Sequence, residues 1–206
     1  MSAASYPVQF DVDFPARTLD RVTTAFRILL AIPILIVLGT LTADTVQGDP
    51  HSTFTLAGGV GLIFLPLVLM ILFRQKYPRW WFDWNINVLR FSNRVTAYLA
   101  LLDDRYPSTD EEQSVHLDFA YPDARQMNRW LPLVKWLFAI PHYFVLFFLG
   151  IGAVGAIVIA WFAILFTGTY PRSLFGYVVG VLRWSNRVYG YAFALVTDEY
   201  PPFRLS

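Results

Sequence analysis

The stretch 142-HYFVLFFLGIGAVGAIVIAWFAILFT-167 runs without a formal charge when its histidine is neutral, and it contains Gly150, Gly152 and Gly155 in the spacing G-x-G-x-x-G. That spacing cradles a pyrophosphate only where a strand turns into a helix, so that glycine backbone and the helix N-terminus meet the phosphates. Here both flanks are apolar, and no acidic residue lies between Leu174 and Leu182 to hold a ribose. The dinucleotide reading therefore fails, and a stretch this apolar reads first as embedded in a bilayer. As one helix it would be about 39 Å long, against a hydrocarbon core of about 30 Å. The glycines are thus expected to mark a membrane turn between helices at Leu131–Leu149 and Gly152–Thr167.

Composition extends this to the whole chain. Its 206 residues are 56% hydrophobic, 17% aromatic and 15% charged, with a mean hydropathy of +0.46, outside the range of soluble domains. An integral membrane protein is expected. A net charge of +1 argues against a nucleic-acid surface. The N-terminal MSAASYPVQFDVDFP has no basic region before its apolar residues and does not read as a cleavable signal. With no cysteine, disulfides, thiolate metal sites and cysteine nucleophiles are excluded.

The chain reads as a tandem duplication. Ala31-Ile32-Pro33 recurs as Ala139-Ile140-Pro141, Tyr77-Pro78-Arg79 as Tyr170-Pro171-Arg172, and 89-LRFSNRVTAY-98 as 182-LRWSNRVYGY-191. Asp104 with Tyr106-Pro107 returns as Asp198 with Tyr200-Pro201, and Val8–Pro15 (VQFDVDFP) matches Val115–Pro122 (VHLDFAYP). Boundaries follow at 1–107 for the first repeat, 108–114 for a linker and 115–206 for the second. The offset falls from 108 to 93 between the first two matches, so the first repeat carries 15 extra residues, around 44-DTVQGDPHST-53. With the offset of 93, only Gly152 has a glycine counterpart, Gly59. The triple spacing is not part of the repeated pattern. Small residues at Gly58, Gly59 and Gly61 and at Gly150, Gly152 and Gly155 are instead expected to permit close helix packing or a tight turn.

The expected fold is mainly α, each repeat giving a short strand, a transmembrane helical hairpin and an interfacial amphipathic helix. Val8, Phe10, Val12 and Phe14 alternate with Gln9, Asp11 and Asp13, a strand pattern. In the first repeat the apolar helices are expected at Thr23–Leu41 and Phe54–Phe73. Pro33 and Pro141 fall inside the first helix of each pair and are expected to kink it. In the third helix, Asp83, Asn87, Arg90 and Arg94 form one stripe at helical spacing, and Trp84, Val88, Phe91, Val95 and Tyr98 an apolar one. The second copy keeps Arg183 and Arg187 but has Gly176 and Gly180 where the first has Asp83 and Asn87. Each arginine at a bilayer centre costs roughly 2.5–3.5 kcal/mol, which favours a helix in the headgroup plane. All 16 Lys and Arg residues avoid the two helix-connecting turns, so the positive-inside rule places both termini and the linker in the cytoplasm, with four crossings of the inner membrane. Were each third helix also to cross, the second repeat would be inverted.

Chemistry is sparse. His51, His116 and His142 show no metal-ligand spacing, and Ser92 and Ser185 lack a nucleophile context. No catalytic, cofactor-binding or metal residues are assigned and no cofactor is expected. His142, where the first repeat has Ile34, reads most simply as an interhelical hydrogen-bonding residue. Arg90 with Arg94 and Arg183 with Arg187 each place two guanidiniums on one helix face, a geometry suited to lipid phosphate. Pairing with local carboxylates is the competing reading.

The opening strand, the Ala-Ile-Pro helix and above all 161-WFAILFTGTYPRSLFGYVVGVLRWSNRVYGYAFALVTDEYPPF-203 resemble the bacterial domain-of-unknown-function 4389 family, the second repeat more closely than the first. That resemblance implies a small membrane protein built of one or two such units and brings no activity with it. The expected function is a non-catalytic membrane accessory or scaffold protein, alone as a homo-oligomer or beside a membrane partner, in contact with lipids, anionic ones included. A lipid-handling or transport module is the alternative and an enzyme a third. No nucleotide or nucleic-acid partner is expected.

Overall fold

The computed structural model describes residues 6–42, 60–109 and 111–206. The chain is mostly helical. In order come β1 (Val8–Val12), α1 (Arg21–Ala25), α2 (Arg27–Thr42), α3 (Val60–Arg74), α4 (Arg79–Leu99), β2 (Val115–Phe119), a 3-10 turn at Leu131–Leu133, α5 (Lys135–Phe138), α6 (Ile140–Thr167) and α7 (Arg172–Ala192).

Local sequence explains the boundaries. Asp20 caps α1, its carboxylate accepting from the Val22 amide at 2.7 Å and more loosely from Thr23 at 3.4 Å. Pro78 and Pro171 immediately precede α4 and α7, where a fixed φ and a missing N–H cost nothing. Both helices end just before a buried leucine with left-handed backbone, Leu101 at φ 64° and Leu195 at φ 51°. Such a conformation costs a non-glycine residue of order 1–3 kcal/mol. Both leucines are buried, 2% and 0% exposed, and their packing offsets that cost.

The expected turn at Gly150–Gly155 is not there. Ile140–Thr167 is one helix of 28 residues, so the expected pair of apolar helices in the second half of the chain is a single helix. All three glycines stay helical; each costs about 1 kcal/mol against alanine, too little to break a long helix that lacks an internal proline or charge. Gly168 ends it in the left-handed region at φ 73°. Pro141 falls in the first turn of α6, where proline is accommodated without a kink, while Pro33 does lie inside α2. The segment before Pro141 is broken into the 3-10 turn and α5 instead of forming the expected helix from Leu131. Among the described residues α6 is the one helix long and apolar enough to cross a membrane, and its apolar window is only 17% buried.

The two strands pair with each other. They run antiparallel with Phe10 opposite Leu117, Val8 opposite Phe119 and Val12 opposite Val115, so of the positions matched between the two sequence segments only Phe10 and Leu117 face one another and the flanking ones are exchanged about that pair. Alternation does the rest: Val8, Phe10, Val12, Val115, Leu117 and Phe119 are buried, whereas Gln9, Asp11, His116 and Asp118 face outward. The ribbon's apolar face lies on α4 and α7, β2 against the former and β1 against the latter. In turn α2 packs on α4 and α6 on α7. Each strand therefore rests on a helix from the other half of the chain, and the third helices sit at the centre of the molecule.

Candidate functional site

Two arginines tie the ribbon down. Arg183 on α7 donates from Nε to the Phe10 carbonyl at 2.8 Å, from Nη1 to the Leu205 carbonyl at 3.2 Å, and pairs through Nη2 with Asp11 at 2.8 Å. On α4, Arg90 repeats the pattern, with Nε on the Leu117 carbonyl at 3.0 Å and Nη2 at 3.6 Å from Asp118. A guanidinium's rigid fork suits this double use of one carbonyl and one carboxylate. Arg94 turns to the linker, donating to the Ser108 carbonyl at 2.8 Å.

Beneath the ribbon, Asn93 and Asn186 exchange side-chain amide hydrogen bonds at 2.9 and 2.8 Å. Each also donates to the carbonyl four residues back in its own helix, Leu89 and Leu182. Further out lie two buried ion pairs of one design. Arg27 meets Asp104 at 2.6 Å and stacks over the Tyr98 ring at 4.2 Å; Lys135 meets Asp198 at 2.7 Å and lies 5.3 Å from the Tyr191 ring. The two carboxylates also accept from backbone amides of matched positions, Asp20 and Asn128. Burial holds the Lys135 ammonium below its usual pKa, partly offset by the hydrogen bond and charge of Asp198. These pairs fasten the segments that precede α2 and α6 to the ends of α4 and α7.

Beside β1 opens a groove of about 530 Å³ whose walls include Tyr6, Asp11, His116, Arg183, Arg187 and Arg204. Arg187 is the unusual member. It is only 7% exposed, and its one hydrogen bond among the described residues is long, 3.4 Å from Nη1 to the Arg204 carbonyl. Its Nε is buried without a partner, and no carboxylate among the described residues is in salt-bridge range.

The four arginines expected to meet lipid phosphate thus separate into roles. Arg90 and Arg183 are occupied by the ribbon, Arg94 reaches the linker, and Arg187, with its Nε unpartnered, lines the groove. Of the glycines expected at helix contacts, Gly58 and Gly59 lie outside the described residues, and Gly61 lies in α3. A Cβ on Gly152 would come within 2.5 Å of the Tyr177 hydroxyl, so the end of that α7 side chain lies against this glycine. Gly150 and Gly155 have nothing within 4 Å, and there the packing expectation fails within the chain; the buried small side chains of α6 are Ala153, Ala156 and Ala160. Close contacts missed in the sequence are Gly180, where a Cβ would meet Leu205 at 2.9 Å, and Gly190, where it would meet Val8 at 2.5 Å. For Gly190, its place in the LRWSNRVYGY block, opposite Ala97, was the available signal.

His142 is buried, accepts at Nδ1 from the Trp184 indole at 3.0 Å and stacks on Phe203 at 4.0 Å, so it does bond between helices. His116 faces Asp13 at 2.9 Å, and His51 lies outside the described residues. Among the described residues no three His, Cys, Asp or Glu side chains gather as a metal site.

Residues 130–204 match the family model described as Domain of unknown function (DUF4389). The match takes in the stretch 161–203 on which the resemblance rests. No curated protein and no solved structure matches the chain.

Proposed function

We propose that this DUF4389-domain protein is a membrane-embedded scaffold of two interlocked repeats, acting by contact and not by catalysis. The observation that carries the reading is the outer face of α6. Phe144, Phe147, Ile151, Val154, Ile159 and Phe166 are each more than half exposed, along a helix about 42 Å long. A core helix of a soluble protein would bury that face, and a signal sequence would lie near the N-terminus. Lipid or a partner helix covers it at no cost. Ile28, Leu29 and Ile36 on α2 are exposed apolar residues as well.

The two-repeat reading is supported by contacts that recur at matched positions: the strand clamps of Arg90 and Arg183, the ion pairs of Arg27 and Lys135, and the mutual bonds of Asn93 and Asn186. Trp184 bonds His142 in the first turn of α6, so Arg183 and Arg187 lie level with the end of that helix, at headgroup depth if α6 spans. This depth suits the amphipathic α4 and α7. Arg183 holds both Phe10 and Leu205, which supports both termini on one face, cytoplasmic by the positive-inside rule. A lipid-handling module is the second reading, favoured by the arginine-lined groove.

The test is mass in native nanodiscs. A complex larger than 23.6 kDa, with itself or with another membrane protein, is expected. A solitary monomer would put the lipid-handling reading first.

A further inference from the structure

The geometry points to an oxyanion site in the groove beside β1, built by Arg187 and Arg204 for a phosphate group. It goes beyond the scaffold reading and does not depend on it.

Asp11 and Asp118 also line the groove, but its arginines are unevenly paired. Arg183 is offset by Asp11 at 2.8 Å, Asp118 is drawn to Arg90 at 3.6 Å on its other side, and His116 faces Asp13. Arg187 and Arg204 are left with no carboxylate in salt-bridge range among the described residues, the Ser206 terminus included, though Ser206 also lines the groove. For an exposed arginine this would mean little. Arg187, however, is more than nine-tenths buried, and a buried charge is expensive unless it is paired and fully hydrogen-bonded. Its neighbours in the groove are two more cations. The Tyr6 hydroxyl gives no relief, since it is turned to the Glu199 carbonyl at 3.1 Å.

A bound anion resolves both defects at once. It would accept from the orphaned Nε and the remaining guanidinium protons of Arg187 and bring charge against Arg204. Two forks and two uncompensated positive charges match a phosphate monoester, which carries about −1.5 to −2 near neutral pH and offers three acceptor oxygens, better than a carboxylate. The site belongs to the second half of the chain alone. Arg94 occupies the matched position, but its groove adds Glu112 to the Asp118 that lines both and has no third arginine among the described residues.

The chemistry is shared by free phosphate and by a phosphomonoester lipid headgroup, and one experiment separates them. The thermal midpoint is measured on protein in mild detergent, titrated with inorganic phosphate against chloride at equal ionic strength, and on protein in phosphatidylcholine nanodiscs with and without phosphatidic acid. Wild type is expected to be stabilised by phosphate in detergent. R204Q, whose side chain lies at the surface, should start at the wild-type midpoint and bind phosphate about tenfold more weakly or worse, the loss expected for a charge-assisted hydrogen bond. R187Q should lose the response and melt higher than wild type without phosphate, because an uncompensated buried charge has been removed. R94Q should respond as wild type does. Phosphatidic acid that stabilises the nanodisc sample and abolishes its response to added phosphate identifies the headgroup as the ligand; a response that persists identifies the free ion. The site does not exist if neither phosphate nor phosphatidic acid moves the wild-type midpoint, or if R187Q and R204Q respond as wild type does.

Discussion

Asn93 and Asn186 each donate a side-chain amide hydrogen to the other's carbonyl oxygen, at 2.9 and 2.8 Å, where α4 and α7 cross beneath the strand ribbon. Their numbers differ by 93, the offset that relates the two LR-x-SNRV blocks. A reciprocal amide pair of this kind forms where two equivalent helices meet about a local twofold axis. Buried and fully satisfied, it specifies one register of the two helices; half-satisfied, it is a defect.

Replacing Asn186 alone with leucine leaves the Asn93 amide without its partner and should destabilise the protein by about 1–3 kcal/mol. The double change Asn93→Leu and Asn186→Leu should be less harmful than the sum of the two single changes. A double-mutant cycle on thermal or denaturant unfolding in detergent measures the coupling. Additive single effects would mean that the pair does not act as a unit.

Gly190 admits the ribbon to α7. Gly190→Ala puts a methyl 2.5 Å from Val8 Cγ2, and a β-branched side chain has little freedom to retreat. A loss of about 1–3 kcal/mol is expected. Val8→Ala in the same chain should recover part of it, whereas Gly155→Ala, with nothing within 4 Å, should be neutral or stabilising through helix propensity.

The buried ion pairs should resist loss of one partner more than loss of both. Asp104→Ala strands the Arg27 guanidinium, whose side chain is 3% exposed, at a cost of about 3–5 kcal/mol; Arg27→Met with Asp104→Leu should cost less. For Lys135 the sign of the pH effect follows from its lowered pKa. The folded chain gives up the lysine proton at lower pH than the unfolded chain does. This group's contribution therefore makes stability rise with pH, up to the unfolded lysine value of about 10.4. Asp198→Asn should steepen the rise and Lys135→Met should remove it, as unfolding at stepped alkaline pH would reveal.

An arginine on the outer face of α6 separates lipid from water. At Val154, 62% exposed near the middle of the helix, V154R should cost about 2.5–3.5 kcal/mol of insertion free energy if α6 spans, and leave the protein extractable from membranes at alkaline pH. On a soluble surface the same change would be close to neutral. Unchanged retention in the membrane fraction would count against the spanning reading.

Much of the candidate site's raw material was visible in the sequence. Alternation placed Val8, Phe10 and Val12 on one face of a strand, and the matched blocks put Arg90, Asn93 and Arg94 in register with Arg183, Asn186 and Arg187. Apolarity marked His142–Thr167 as bilayer material, because composition and period are local properties that the chain carries wherever it folds. The same stretch also shows where local reading stopped. Its length against the bilayer argued for a turn at the glycines, but a glycine in a helix is only mildly unfavourable, and packing of α7 against Gly152 and the buried alanines decided for a continuous helix. The arginines mark the same division. Spacing put each pair on one helix face, yet what they bind is a strand carbonyl or a linker carbonyl, and Arg187 was left with one long hydrogen bond and a buried Nε without a partner. That outcome depended on where two strands from opposite halves of the chain came to rest, which no periodicity encodes. Sequence by itself determined the strand faces, the amphipathic third helices and the apolarity of the long stretch. Only the tertiary structure decided that the strands pair with each other and lie on helices of the opposite half, because long-range pairing is settled by burying the two apolar faces together.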